Sequence, residues 1–123
     1  MSNDEWRTPP ALFRLLNERH GFTLDAASTH ENALVECHLT QEEDALSCHW
    51  SHAEAPSVAF CNPPYSSGMI PAFIRAAIEE IDHGCVREAV FLIRADVSTR
   101  YWHELVVPRA AEILFPNGRV NFL

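Results

Sequence analysis

Short apolar runs alternate along this chain with longer segments of helical periodicity, and that alternation constrains the fold more than any other feature. Thr8-Pro9-Pro10 followed by ALFRLLNERHGF reads as a helix entry, with Thr8 as cap and proline in the first turn. Leu12, Phe13, Leu15 and Leu16 supply the apolar stripe, and Gly21 is the expected stop. Residues 22–27, FTLDAA, then read as a short buried strand ending in an acid and two small residues. Residues 29–54 are polar and histidine-rich, with a short helix expected near 30–36 and irregular chain around Asp44. A second strand, PSVAFC at 56–61, is stopped by the double proline that follows it. Ser67-Gly68 opens a helix over 69–83, where Ile70, Phe73, Ile74, Ala77, Ile78 and Ile81 recur at three- and four-residue steps. Residues 89–93, AVFLI, form the clearest buried strand. A helix over 98–106 with Ser98 as cap and a further strand over 111–115 complete the pattern. Strands alternating with helices predict an α/β domain whose parallel sheet is covered on both faces.

At 123 residues, one domain covering 1–123 is expected. No apolar run reaches the roughly 18 residues that a membrane span needs. The polar, acidic start from Met1 to Glu5 lacks the basic and apolar stretches of a signal peptide, so the expected compartment is the cytoplasm, with reduced thiols. Cys37, Cys48, Cys61 and Cys85 form no C-x-x-C pair. Cys37-His38, Cys48-His49 and His52 offer zinc-type donors, but adjacent pairs at that separation match no familiar finger or ribbon, and no metal is expected. The formal charge of −8 argues against a non-specific nucleic-acid coat. It leaves room for a local basic face, because Arg87, Arg94, Arg100, Arg109 and Arg119 gather in the C-terminal part while many acids lie in 25–54.

In sheets of this kind ligands bind beyond the carboxyl ends of the strands, where both Asp25 and Asn62 fall. Asn62-Pro63-Pro64-Tyr65 has a specific chemical use. An adenine amino nitrogen is a poor nucleophile because its lone pair is delocalised into the ring. Two acceptors, the Asn62 side-chain oxygen and the Pro63 carbonyl, could take its two N–H groups and draw the nitrogen toward tetrahedral geometry. The prolines hold those acceptors, and the Tyr65 ring offers a stacking surface for a base rotated out of a duplex. A sulfonium methyl donor would leave the protein mainly the task of alignment. The bland alternative is a strand-ending Asn-Pro-Pro turn with a packed tyrosine.

The tetrapeptide is the signature of amino-group methyltransferases, and the chain resembles the small phage and prophage DNA N6-adenine methyltransferases of the Dam family. The resemblance runs from Asp4-Glu5-Trp6-Arg7-Thr8-Pro9-Pro10 through FTLDAAS, the ENAL at 31–34, EEDAL at 42–46 and FCNPPYS at 60–66 to Gly118-Arg119-Val120-Asn121-Phe122. It implies a three-layer Rossmann-like methyltransferase fold with a mostly parallel sheet, S-adenosylmethionine as cofactor, double-stranded DNA as partner and a bacterial host cytoplasm. By the same resemblance Trp6, Thr8 and Pro9 line the methionine end of the cofactor, Asp25, Ala26 and Ala27 form its central pocket, and Asp44 meets its adenine amino group. Asn62, Pro63, Pro64 and Tyr65 would be catalytic, with Arg94, Arg100 and Arg119 as candidates for DNA contact.

Two departures accompany the resemblance. Leu24-Asp25-Ala26-Ala27-Ser28 lacks the glycine-rich turn many methyltransferases use for their cofactor. Similar proteins continue beyond Phe122, so the expectation is a fold short of its final strands, with target recognition supplied by another chain. The rival readings are a protein glutamine N5-methyltransferase, which presents the same tetrapeptide to a side-chain amide, and a shortened, non-catalytic methyltransferase-fold module.

Overall fold

The computed structural model describes residues 8–28, 38–39, 46, 49–50, 56–65 and 68–116. Trp6, Asp44 and Arg119, the helix expected near 30–36 and the Gly118–Phe122 motif lie outside the described residues.

Helix α1 spans Pro10–His20, with proline in its first turn, where the missing N–H costs nothing. Its cap is Pro9 rather than Thr8, and no side chain caps it. The pre-set φ of −58° at Pro9 starts the helix without that help, and Thr8 is used elsewhere. Gly21 closes the helix at φ 67°, a left-handed conformation that favours glycine, and its N–H bonds Asn17 O. The Asn17 side chain then accepts from Phe22 N at 2.8 Å, steering the chain into the sheet. Of the predicted stripe, Phe13 is buried whereas Leu15 is 65% exposed.

Strands β1 (Leu24–Asp25), β2 (Ser57–Cys61) and β3 (Val86–Phe91) form a parallel sheet in the order β1-β2-β3. The register sets Asp25 beside Phe60 and Cys61 beside Phe91. β2, buried at every residue, is the central strand. Thr23 extends the β1 ladder: its N–H donates to Val58 O and its hydroxyl accepts from Val58 N.

Alternation along the strands sorts the core into two faces. Val58 and Phe60 of β2 meet Phe13 of α1 together with Phe22. Ala59 and Cys61 point the other way, onto Phe73 and Ala77 of helix α2 (Met69–Asp82), with Leu24, Leu39, Trp50 and Val86. Three layers result, as expected. The register slips between Ser57 and Val58, which face Val86 and Glu88. Arg87 is thus the extra residue of a β-bulge, and the bulge lets Val86, Ala89 and Phe91 share the α2 face.

Three sequence expectations shift in the C-terminal part. β3 begins at Val86, three residues before the run at 89–93, because the bulge hides its alternation. The following helical stretch starts at Arg100 rather than after a Ser98 cap. Its centre, Trp102–Val106, is π-helical, and Val107–Arg109 forms a last α-turn, α3. The strand expected at 111–115 does not form: Ile113, Leu114 and Phe115 are 39%, 58% and 66% exposed. Apolar β-propensity needs a neighbouring strand to pair with, and the sheet of the described residues provides none for this segment. It is pinned instead by an Arg19–Glu112 ion pair and the Phe115 ring near Trp102. Among the described residues no helix is long and apolar enough to cross a membrane.

Candidate active site at the carboxyl edge of the sheet

Because the three strands are parallel and adjacent in sequence order, their carboxyl ends share one edge. The Asn62–Tyr65 loop leaves the central strand, Asp25 ends the strand on one side, and Leu92 to Arg94 follow the strand on the other. The sheet thus brings together residues 25, 62 and 94 that lie far apart in the chain.

Asn62 is half-buried, and its Nδ2 donates to Thr8 Oγ1 at 3.1 Å. Thr8 itself is 6% exposed, so the segment entering α1 lies against the Asn62–Tyr65 loop. This contact sets the Nδ2 edge of the amide against Thr8. Oδ1 then lies on the other edge of the amide, as the atom available to act as an acceptor in such chemistry. Pro63 is buried and Pro64 half-buried, which restrains the loop on both sides of the carbonyl of interest.

Tyr65 is the most enclosed residue of the loop's far end. Its ring packs with Ile70 and Ile74 of α2, and its hydroxyl donates to Leu92 O at 3.2 Å, tying the loop to the end of β3. Burial pushes the phenol up to about 12, against a smaller downward pull from the Arg94 guanidinium. Arg94 stands over the ring, 5.3 Å from its centroid, and reaches Asp96 at 3.6 Å. The open stacking surface read from the sequence is therefore covered by a cation in this structure.

Asp25 is 3% exposed, with its Oδ1 accepting from Ala27 N at 3.3 Å, an Asx turn that reverses the chain. Ala26, 1% exposed, continues the ladder through its N–H to Phe60 O. Beside them the Ser28 hydroxyl is buried without a hydrogen-bond partner among the described residues, although its backbone N–H donates to Leu39 O. Burial, reinforced by Asp25, pushes the neighbouring Cys61 thiol well up, leaving it protonated and inert. Pro9 sits at the head of α1 beside Thr8.

The expected basic face is matched by acids. Arg94 pairs with Asp96, Arg100 with Glu104 at 3.1 Å, and Arg109 with Asp82 at 2.7 Å. Exposed pairs of this kind are screened by solvent and exchange readily for other anions. Sequence reasoning missed the Thr8–Asn62 contact, the Arg94 cover and Ser28. The first spans 54 residues of chain and carries no local signature; the last follows a segment read for its acid and its two small residues.

An Asn-Pro-Pro-Tyr loop leaving the central strand of a parallel three-layer sheet, beside a buried acid that ends the adjoining strand, is consistent with a Rossmann-like fold of the methyltransferase type. The family model described as DNA N-6-adenine-methyltransferase (Dam) matches residues 1–123, and the chain belongs to that family. It is 34% identical over 113 residues to the DNA N-6-adenine-methyltransferase of Escherichia phage T1, covering 91% of this chain and 44% of that protein. It is 29% identical over 123 residues to the protein of the same name from Haemophilus phage HP1, covering 98% of this chain and 66% of the relative. A putative methyltransferase, YfdM, of Escherichia coli K12 is 42% identical over 65 residues, half of this chain and 71% of that protein. The chain thus spans about half to two thirds of the length of the two phage relatives. No solved structure matches it.

Proposed function

We propose that this chain transfers a methyl group from S-adenosylmethionine to N6 of adenine in double-stranded DNA. The observation that carries the reading is the Asn62 amide, set at the central carboxyl edge and hydrogen-bonded to Thr8 through its Nδ2. In this reading Asn62 Oδ1 and the Pro63 carbonyl accept the two amino hydrogens of a flipped adenine. The nitrogen lone pair is then localised for in-line attack, with no strong base required. The amino proton lost after transfer leaves through those acceptors to solvent.

The residues present fit the cofactor: a buried carboxylate at Asp25, close backbone approach at Ala26 and Ala27, and the unpartnered Ser28 hydroxyl form a polar cradle where a ribose-bearing ligand binds in such folds. Trp6, Pro9 and Asp44 complete that side by family resemblance, while Thr8 serves the Asn62 amide in this reading. When bound, the group supplies an activated methyl on a sulfonium leaving group.

Tyr65 is the stacking platform for the base, and Arg94 must leave its ring for the base to enter. The released guanidinium, with Arg100 and Arg119, is then available to phosphate.

The test is transfer of labelled methyl from S-adenosylmethionine to duplex DNA, with release-factor protein as the competing acceptor. Incorporation into DNA alone is expected; incorporation into protein glutamine would overturn the assignment. Asp25→Ala is expected to weaken cofactor binding at least about tenfold by calorimetry, roughly 1.4 kcal/mol, and unchanged affinity would remove Asp25 from the pocket.

A further inference from the structure

At the amino end of the sheet, opposite the edge that carries Asn62, three donors from distant parts of the chain converge. Glu80 lies near the end of α2 and is 7% exposed. His49 Nδ1 sits 3.2 Å from each of its carboxylate oxygens. Cys85, the residue before β3, places its Sγ 3.9 Å from the same imidazole nitrogen. The three donor atoms all lie within 4.8 Å of one another.

We propose that His49, Glu80 and Cys85 bind one divalent cation of the zinc type. Imidazole, carboxylate and thiolate are each ordinary zinc ligands, whereas a thiol and an imidazole together disfavour calcium and magnesium. With metal–ligand bonds of about 2.0–2.3 Å, tetrahedral donors stand roughly 3.3–3.8 Å apart. The spacings of 3.2 and 3.9 Å bracket that range, so the ion enters with shifts of well under an ångström at those pairs. Charge balance agrees: Glu80 and a Cys85 thiolate contribute two negative charges to one doubly positive ion, and the thiol proton leaves to solvent on binding.

The surroundings hold the set in place. Trp50, fully buried, donates its backbone N–H to Glu80 Oε1 at 3.1 Å, orienting the carboxylate from behind in the manner of an outer-shell partner. His49 is 76% exposed in its side chain and Cys85 half-buried, which gives the ion an entry path and leaves a fourth position to water. The spacing of ligands, 49, 80 and 85, resembles no compact zinc motif, which is why the sequence concealed it. Binding would clamp the chain around Trp50 to the end of α2 and the start of β3. It is independent of the methyl-transfer reading, because no residue is shared with the carboxyl edge.

The experiment is cobalt titration of the full, reduced, chelator-treated chain, read by absorption. One Co2+ per chain is expected, with an intense tetrahedral visible spectrum and a thiolate-to-cobalt charge-transfer band, both displaced by Zn2+. Cys85→Ser should abolish the charge-transfer band, and His49→Ala should weaken binding at least tenfold. Glu80→Gln, which keeps an oxygen for the Trp50 N–H, should weaken it comparably while circular dichroism shows the fold intact. A wild-type chain without the thiolate band would overturn the site. A band persisting in Cys85→Ser would overturn it equally, assigning the metal to other cysteines.

Discussion

The Asn62–Thr8 hydrogen bond couples two residues that sequence reading had placed in separate roles, one catalytic and one at a helix cap. An asparagine amide can face either way at little intrinsic cost, and only one orientation presents its oxygen to a substrate amino group. In the structure the Thr8 hydroxyl accepts from Nδ2, the arrangement that the proposed reaction uses. Thr8→Val, close in shape but without the hydroxyl, is expected to lower kcat about three- to tenfold, the equivalent of one net hydrogen bond of roughly 0.5–1.5 kcal/mol. Thr8→Ser should restore most of it, and cofactor affinity should change little in either variant. Steady-state kinetics beside calorimetry separates this from a cofactor contact: a weakened dissociation constant with unchanged kcat would return Thr8 to the methionine pocket. The place of Asn62 at a strand end was legible from the apolar run before it and the double proline after it. Its orientation was not, because the partner lies 54 residues away.

At the level of elements, the strand before the Asn62–Tyr65 loop is anchored by an aromatic cluster. The Phe60 ring lies 5.3 Å from both Phe13 and Phe22, and all three are buried. This cluster seats α1 on the sheet and so carries Thr8 toward Asn62. Phe60→Ala is expected to cost about 3–5 kcal/mol, a large share of the roughly 5–15 kcal/mol that stabilises a typical domain. Urea unfolding measures it; a loss below about 1 kcal/mol would mean the cluster is not the anchor. The order of α1, β1, β2, α2 and β3 was readable because each is a run of apolar residues with its own period and a clear stop, such as Gly21 or Pro63-Pro64. The errors fall where period and environment disagree. The Arg87 bulge breaks alternation in β3, a π-helical turn at Trp102–Val106 departs from helical spacing, and residues 111–115 have strand composition without a strand to join.

Taken as a whole, the molecule has nine cationic side chains, all of them arginine, so no lysine titrates at alkaline pH. Its response there belongs to phenols and thiols, and those with resolved shifts, Tyr65, Tyr101, Cys61 and Cys85, all move upward, chiefly by burial for the first three and by the Glu80 contact for Cys85. A raised folded-state pKa means the unfolded chain releases its proton first. The associated stability is complete below the unfolded values, about 8.5 for cysteine and 10 for tyrosine, and is lost as pH rises through the folded ones, about 12 for Tyr65. The urea midpoint should therefore fall from about pH 8.5 upward, and Tyr65→Phe should soften the fall above roughly pH 10. A midpoint flat to about pH 11 would contradict the buried placement of these groups. The acidic net charge leaves room for the proposed DNA contact, because among the described residues Arg100 is exposed and paired at the surface with Glu104. The most direct test of the catalytic loop is N6-methyladenine in genomic DNA, quantified by mass spectrometry of nucleosides from cells without their own adenine methyltransferase. Expression of the wild-type chain is expected to produce the modified base, and Asn62→Ala, expressed equally, to lower it by about a hundredfold or more. Equal N6-methyladenine from both would contradict the role given to Asn62.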